Sequence, residues 1–269
     1  MAAASSIPTT KQKNDKQAPI VSLQNLAQRF KTPTGQVVTA LENINLDIYP
    51  NEFISIIGPS GCGKSTLLRI VADLLSPTSG TAMVNGKPPH QARLNRDFGM
   101  VFQQAVLYDW RSVIKNIELP LEIMNYSNAE RTSRAQEMLD LVELGEFAHH
   151  YPWQLSGGMQ QRVAIARALT FKPSILLMDE PFGALDEMTR ERMNIELLNI
   201  WTKTNTTVIF ITHSIQEAVY LSSRVVVMSP RPGRIIKDIP ITLPYPRDPE
   251  VRDTEDFFHL VTEVRAGLR

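Results

Sequence analysis

Apolar residues recur along this chain with two different spacings, one typical of strands and one typical of helices. Short runs rich in β-branched and aromatic residues predict strands, because such side chains pack well on a pleated surface. These runs are residues 20–26, 37–41, 44–48, 52–57, 81–84, 98–102, 174–179, 207–213, 225–228 and 235–239. Between them, Ala135, Met138, Leu139 and Val142 recur at the spacing of an amphipathic helix. Strands that alternate with helices predict an α/β fold.

The same patterns divide the sheet region into parts. Turn residues at 33–35 and 42–43 separate the first three strands, which predicts a small antiparallel sheet near the start of the chain. Asn85 and Gly86 form a dipeptide typical of a hairpin turn. The helical pattern over 113–144 predicts a helical insertion between two parts of the main sheet, and we place it at about 112–170.

The two ends of the chain differ from its centre. Residues 1–17 contain no apolar segment and are expected to form a disordered tail. Residues 18–250 are expected to form one domain. Within 251–269 an apolar stripe predicts an amphipathic helix that packs on the domain. The stripe consists of Phe257, Leu260, Val261, Val264 and Leu268.

Residues 58–66 match G-x-x-x-x-G-K-[ST], the pattern of a phosphate-binding loop. A predicted strand precedes the loop and a helical run over 65–72 follows it, which argues against a chance glycine-rich turn. Backbone N–H groups at the helix start would then surround a phosphate. We expect Lys64 to reach the β- and γ-phosphates and the Ser65 hydroxyl to ligate Mg²⁺. The phosphate-binding residues would be Gly58, Pro59, Ser60, Gly61, Cys62, Gly63, Lys64, Ser65 and Thr66.

Polar side chains end three further predicted strands. Asp179 and Glu180 end one of them, Gln103 follows another, and His213 ends a third. The carboxyl ends of parallel strands lie at one edge of the sheet, where ligands bind in α/β folds. With a phosphate loop upstream, Asp179 is expected to hold Mg²⁺ and Glu180 to orient or deprotonate water. The alternatives are surface charge for the acids, a solvated loop for Gln103 and a structural role for His213.

A second candidate anion site lies at 155–162. Ser156 is expected to cap a helix there, and Gly157 and Gly158 leave the first-turn N–H groups open. A capped helix in a core would have a similar sequence. Phe30, just after the first predicted strand, is equally consistent with stacking on an adenine ring and with ordinary packing.

Composition narrows the classes of partner. The 28 basic and 28 acidic residues balance, so the net charge gives no argument for binding nucleic acid or an anionic membrane. With Cys62 as the single cysteine, an intramolecular disulfide is impossible and a reducing compartment is favoured. Phosphoryl transfer needs no thiol nucleophile, so we interpret Cys62 as a small residue in a tight turn. No apolar run approaches the roughly 18 residues of a membrane helix, so a membrane role would need a partner.

Taken in order, these motifs resemble the nucleotide-binding subunit of an ABC transporter from about residue 20 onward. The family's motifs correspond to the phosphate loop, a Q-loop at Gln103, a signature at 155–160, a Walker B strand at 175–180, a D-loop at 184–186 and a switch histidine at His213. Such an ordered set is very specific. The resemblance implies a P-loop NTPase (RecA-like) core with an N-terminal antiparallel β subdomain and an inserted α-helical subdomain.

The resemblance also implies a head-to-tail homodimer that binds ATP between two chains. Each ATP would lie between the phosphate loop of one chain and Ser156, Gly157, Gly158 and Gln160 of the other. Glu180 would be the general base, His213 would contact the γ-phosphate, and Gln103 would sense Mg²⁺ and the attacking water. Asp186 would link the two sites, and Phe30 would stack on adenine. The metal ligands would be Ser65, Gln103 and Asp179.

Segments 107–113, 228–234 and 245–249 look like those of the nitrate/sulfonate/taurine importer group. In that group the region of Trp110 contacts the membrane subunit's coupling helix, with local packing as the alternative. The resemblance implies a small solute, and we expect an anion such as nitrate, a sulfonate or taurine. The solute does not touch this subunit, so bicarbonate and a vitamin precursor stay open as alternatives. It implies a transmembrane permease at the cytoplasmic face of the inner membrane and, indirectly, a periplasmic or extracellular solute-binding protein. Many relatives have Asp at the position of Ser214 and Gln at the position of Met159. These two differences weaken the inference about the solute more than the inference of ATPase activity.

Two other classes remain as alternatives. A soluble ABC-type ATPase would act on nucleic acid or ribosomes, but such relatives carry long coiled coils or two fused cassettes, and this sequence shows neither, nor a basic stripe. An exporter ATPase is disfavoured by the Trp110 region and the Pro-Arg-Pro-Gly segment, on resemblance alone. We therefore expect an ATP-hydrolysing importer subunit without a nucleic-acid partner.

Overall fold

The computed structural model of the chain describes residues 17–204 and 206–268. The predicted tail at 1–17 lies outside the described residues, apart from Gln17. The strands are β1 (Val21–Lys31), β2 (Val37–Ile48), β3 (Phe53–Ile57), β4 (Ser79–Val84), β5 (Phe98–Val101), β6 (Ile175–Asp179), β7 (Thr207–Ile211), β8 (Arg224–Met228) and β9 (Ile235–Pro240). The helices are α1 (Lys64–Val71), α2 (Pro89–Leu94), α3 (Val113–Ile123), α4 (Asn128–Leu141), α5 (Gly157–Leu169), α6 (Glu187–Thr204), α7 (Ile215–Leu221) and α8 (Glu255–Gly267).

The strands form two sheets. Three strands pair antiparallel in the order β2-β1-β4, and six pair in the order β5-β6-β7-β3-β8-β9. The six-stranded sheet is parallel except for β9, which pairs antiparallel with β8. Its central strands β3 and β7 are buried along their whole length, which explains their continuously apolar sequences. The predicted α/β core and the predicted antiparallel sheet are both present.

Two local predictions were wrong. The runs 37–41 and 44–48 belong to one strand, β2, because Asn43 adopts a left-handed conformation (φ 50°) that bends the strand without ending it. Asn85 and Gly86 form the expected turn, but only Val84 and Lys87 pair across it. Pro89 then begins α2, because the fixed φ of proline suits the first turn of a helix, and no second hairpin strand forms.

The large sheet has a hydrophobic core on each face. Since successive side chains of a strand point to opposite faces, Phe53 and Ile57 belong to one core, and Ile54 and Ile56 belong to the other. The first core includes residues of α3, α5, α6, α7 and α8. The second lies between the large sheet, α1 and the antiparallel sheet. The carboxyl ends of β3, β6 and β7 are therefore held rigidly between two packed layers.

Helices α3, α4 and α5 pack against one another, and α5 also contacts β5 and α6. Helix α8 lies against α7, β8 and β9 and buries Phe257, Leu260, Val261 and Val264. The domain limits at 18, 112, 170 and 250 stay a prediction. Within the described residues, every helix is either too short or too polar to traverse a bilayer.

Candidate nucleotide-binding site

The phosphate loop connects β3 to α1. Gly61 (φ 74°) and Gly63 (φ 107°) adopt left-handed conformations that favour glycine, which explains the fixed glycine of the motif at 63 and the additional glycine at 61. Helix α1 begins at Lys64 without a side-chain cap, so the helix start leaves N–H donors for an anion. The Lys64 ammonium is buried inside the loop and donates to the carbonyl oxygens of Gly58 (2.9 Å) and Pro59 (3.2 Å).

A cavity of about 450 Å³ opens beside this loop. Phe30 lines it and keeps 41% of its surface exposed, so its ring lies at the cavity and outside the hydrophobic core. An exposed ring at the wall of a cavity favours stacking on a ligand over ordinary packing. The lining residues are Phe30, Thr32, Val38, Ala40, Ser60, Gly61, Gly63, Lys64, Ser65, Thr66, Glu180, His213 and Arg231.

Ser65 and Asp179 form the candidate metal pair. The Ser65 hydroxyl donates to Asp179 Oδ1 at 2.8 Å, although 114 residues separate the two in sequence. The described residues include no group of three or more His, Cys, Asp or Glu that could hold a metal ion by themselves. A hydroxyl and a carboxylate beside a phosphate loop fit Mg²⁺, because this ion is usually bound by one or two protein ligands together with phosphate oxygens and water.

Glu180 and His213 meet at the wall of the same cavity. His213 Nε2 lies 2.5 Å from Glu180 Oε1. Glu180 has a left-handed backbone (φ 50°), and its N–H donates to the Ile211 carbonyl at 3.0 Å. Such a conformation costs about 1–3 kcal/mol in a non-glycine residue and is concentrated at functional sites. The strand end is thus fixed in a strained conformation that places a carboxylate next to an imidazole.

A smaller cavity, about 160 Å³, lies on the other side of this pair. Gln103 lines it with Glu180 and His213, and a methyl group added to Gly183 would lie 3.1 Å from Gln103 Nε2. The structure therefore places Asp179 on Ser65 of the phosphate loop and Glu180 and His213 at the wall of its cavity, while Gln103 lies with Glu180 and His213 in the smaller cavity.

Sequence analysis missed the residues that support His213. Thr212 donates its hydroxyl to the carboxylate of Glu217 and accepts from the Ser214 N–H at 3.0 Å. Glu217 is buried, and burial raises the pKa of its carboxyl. The signal that could have revealed it is an acid directly before the apolar run 218–221, where a helix packs in the core.

The signature residues lie elsewhere. Ser156 caps α5 by accepting from the Met159 N–H (3.3 Å), and Ser156 and Gly157 are exposed while Gly158 is buried. The Gln160 amide donates to the Pro152 carbonyl (2.9 Å). Neither Ser156, Gly157, Gly158 nor Gln160 lines either cavity.

Asp186 lies directly before α6. It caps α6 by accepting from the Thr189 N–H at 3.0 Å, and this hydrogen bond lowers the pKa of the carboxyl. Asp186 also lines neither cavity. Within one chain, therefore, the signature residues and Asp186 do not contribute to the phosphate-loop cavity.

The segment 102–112 is held firmly by α5 and α3. Gln161 donates to the Phe102 carbonyl (2.8 Å), and Arg167 donates to those of Ala105 (2.9 Å) and Val106 (2.8 Å). The Trp110 ring projects from this segment with 73% of its surface exposed. A rigidly held, exposed indole is typical of a protein contact surface.

The fold and the site together define a class. A phosphate loop between the buried strand β3 and a helix, with a carboxylate from β6, two strands away in the sheet, placed on its serine, is the arrangement that P-loop nucleoside triphosphatases use to position a nucleotide and Mg²⁺.

Comparison with known proteins narrows that class. The family model described as ABC transporter matches residues 41–183. An uncharacterized ABC transporter ATP-binding protein of Methanocaldococcus jannaschii is 50% identical over 236 residues, covering 88% of this chain and 87% of that protein. The taurine import ATP-binding protein TauB of Roseobacter denitrificans is 46% identical over 218 residues, covering 81% of each chain. The chain therefore belongs to the ABC transporter family, as an ATP-binding subunit with ATPase activity.

Solved structures agree with this assignment. A bacterial ABC transporter cassette, solved as a dimer, superimposes with a TM-score of 0.71 at 40% identity, covering 82% of this chain and 98% of that one. The same cassette was solved as a dimer in a post-hydrolysis state bound to ADP and Pi, and it also superimposes with a TM-score of 0.71, at 39% identity and the same coverage.

Proposed function

We propose that this chain is the ATP-hydrolysing subunit of an ABC importer and works as a homodimer on a membrane permease. One observation supports the dimer: the phosphate-loop cavity is lined by the loop, by Ser65 of the candidate metal pair and by Glu180 and His213, but by no residue of the signature. The signature helix α5 has an exposed, serine-capped start that is suited to an anion. A second copy can present that start to the open side of the cavity, as the dimeric form of the related cassette supports.

In this proposal the nucleotide is ATP, and its phosphates lie on the N–H donors of the loop and α1. Lys64 contacts the β- and γ-phosphates, and Phe30 stacks on the adenine. Mg²⁺ would be held by Ser65, Asp179 and Gln103, and it would neutralise charge on the β- and γ-phosphates. Ser156, Gly157, Gly158 and Gln160 of the partner subunit would close the site from the other side, and Asp186 would connect the two sites.

The hydrolytic step is assigned to the Glu180–His213 pair. Glu180 accepts a proton from a water whose oxygen attacks the γ-phosphorus, and the bond to the bridging oxygen breaks so that ADP leaves with the electron pair. His213 then contacts both the γ-phosphate and Glu180. The Thr212–Glu217 pair holds the backbone on either side of His213. Gln103 lines the smaller cavity, where it would contact the attacking water. Because Gln103 begins the segment that carries Trp110, this contact would couple the site to that segment.

The relatives support import. Since the similar TauB protein is a taurine import ATP-binding protein, a small anionic or zwitterionic solute such as taurine, a sulfonate or nitrate is the proposed cargo. The exposed Trp110 would contact the permease, which places the subunit at the cytoplasmic face of the membrane. A periplasmic or extracellular solute-binding protein would deliver the solute to the permease.

Replacing Glu180 by Gln tests the reaction. The amide keeps a hydrogen-bonding group at Oε1 but accepts no proton, so hydrolysis should fall by at least about 100-fold while ATP binding is retained. Phosphate release and fluorescent-nucleotide titration measure the two quantities. The matched control is Glu146→Gln, an exposed glutamate on a different part of the surface, which should hydrolyse ATP normally. Near-normal turnover of Glu180→Gln would show that Glu180 is not the general base.

A further inference from the structure

The loop between β8 and β9, residues 229–234, lies against the phosphate loop. The Gly233 N–H donates to the Ala40 carbonyl (2.9 Å), and the Gly233 carbonyl accepts from the Glu42 N–H (3.0 Å). A methyl group on Gly233 would lie 2.0 Å from the Cys62 carbonyl oxygen. The β8–β9 loop therefore contacts the phosphate loop backbone to backbone, and only glycine fits at the point of contact.

The β8–β9 loop also has a fixed conformation of its own. The Ser229 hydroxyl accepts from the Arg234 N–H (3.0 Å) and lies 3.0 Å from the Pro232 carbonyl, to which it donates. Residues 230 and 232 are both proline, which restricts the backbone further. Arg231 thus extends from a rigid base.

The Arg231 side chain points into the phosphate-loop cavity. It lines that cavity together with Ser60, Gly61 and Lys64, and its Nη2 donates to the Gly61 carbonyl at 3.1 Å. Only this one hydrogen bond of Arg231 occurs within the described part of the chain, while a guanidinium offers five donors. Its remaining donors therefore have no hydrogen-bond partner within the described chain and are open to a ligand in the cavity that Arg231 lines.

We propose that Arg231 is a nucleotide-binding residue that donates to phosphate oxygens of the bound nucleotide while Nη2 stays on Gly61. The inference rests on the proposed function, since it requires a nucleotide on the phosphate loop. A guanidinium suits this position, because its planar fork matches phosphate oxygens and its charge persists at any physiological pH. Arg231 and Lys64 would thus neutralise the polyphosphate from two directions.

A purely structural role makes a different prediction. If Arg231 only braces Gly61, then a neutral donor in its place would suffice. If it binds phosphate, then the positive charge is required. Arg231→Gln keeps a donor without charge, and Arg231→Lys keeps the charge without the fork. Arg234 supplies the matched control, since it lies on the same loop but pairs with Glu42 outside the cavity.

The experiment measures ADP affinity of the full chain by titration calorimetry at low and at moderate salt, with nucleotide-free thermal melting alongside. We expect Arg231→Ala and Arg231→Gln to bind ADP about tenfold more weakly, Arg231→Lys to recover to within about threefold, and Arg234→Ala to stay within about twofold of the wild type. The salt dependence of binding should weaken when the charge at 231 is removed. If Arg231→Ala folds poorly, the ADP affinities of Arg231→Lys and Arg231→Gln are compared instead, and they distinguish a phosphate-binding role from a structural one.

Two results would overturn the inference: wild-type affinity in Arg231→Gln, or an equal loss in Arg234→Ala, which would indicate a general charge effect. These outcomes are separate from failure of the proposed function. A wild-type chain that never hydrolyses MgATP, even with its permease present, contradicts the proposed function whatever Arg231 does. If the wild-type chain hydrolyses ATP and the Arg231 variants bind ADP normally, then only the inference about Arg231 is contradicted.

Discussion

Replacing Gly233 by Ala should displace the phosphate loop from outside the nucleotide site. The new Cβ would lie 2.0 Å from the Cys62 carbonyl oxygen, and real Cβ atoms essentially never come closer than 3.0 Å to such an atom. The β8–β9 loop is bonded to β2 through Ala40 and Glu42, so it cannot retreat freely. A shift of about 1 Å must therefore fall largely on the phosphate loop.

A displacement of about 1 Å in a group that positions a ligand costs up to about 100-fold. Since the loop binds through backbone N–H groups, no side-chain rotation compensates, and we expect the Kd for ADP to rise by about 10- to 100-fold. Titration calorimetry measures this directly, and urea unfolding of the nucleotide-free chain measures the accompanying loss of stability, about 1–3 kcal/mol for overpacking.

Gly99→Ala controls for overpacking alone. Its Cβ would lie 2.4 Å from the Ala168 carbonyl oxygen, a similar backbone clash at a different place in the fold. It should lose comparable stability and, where folded, bind ADP as the wild type does. ADP affinity of Gly233→Ala within about twofold of the wild type would refute the reasoning, because it would show that the phosphate loop does not transmit the displacement.

Three further predictions concern single side chains. Lys64→Ala should weaken ATP binding at least about tenfold in a fluorescent-nucleotide titration, because it removes the buried cation of the loop, and unchanged affinity would count against the phosphate site. Trp110→Ala should leave ATP hydrolysis by the isolated subunit intact but weaken copurification with the permease, since within the described chain the exposed ring makes an aromatic contact only with Tyr108, edge to face at 4.8 Å; undiminished copurification would place the contact elsewhere. Arg247→Met should lower the free energy of unfolding by about 3 kcal/mol or more in urea, because the buried guanidinium donates to four carbonyl groups, at 219, 220, 222 and 243; a loss under about 1 kcal/mol would contradict this.

The parts of the site that the sequence predicted are those that depend on local order along the chain. The phosphate loop is a continuous stretch whose glycines are required by left-handed backbone at Gly61 and Gly63. Asp179 and His213 were found because each ends a buried strand, and parallel strands end at one edge of a sheet. Gln103 and Glu180 followed from the same argument. The strand order then brings Glu180 and His213 to both cavities, Gln103 to the smaller cavity and Asp179 to Ser65.

What the sequence did not reveal depends on contacts between distant segments. Strand β4 joins β1 across more than 50 residues, and no local pattern specifies that pairing. Arg231 lies in segment 228–234, which the sequence linked only to an importer group, yet backbone contacts at Gly233 hold this segment against the phosphate loop. Glu217 supports His213 through Thr212, a relation that only the packed structure shows.

The central claim is that two copies of this chain enclose ATP between the phosphate loop of one and the signature of the other. The most direct measurement is the molar mass of Glu180→Gln by light scattering after size exclusion, with and without MgATP. The account predicts twice the mass of one chain with MgATP and one chain's mass without it, and it predicts loss of the dimer when Ser156 is replaced by Arg. A mass that stays at one chain in saturating MgATP, with the permease supplied, would contradict the account.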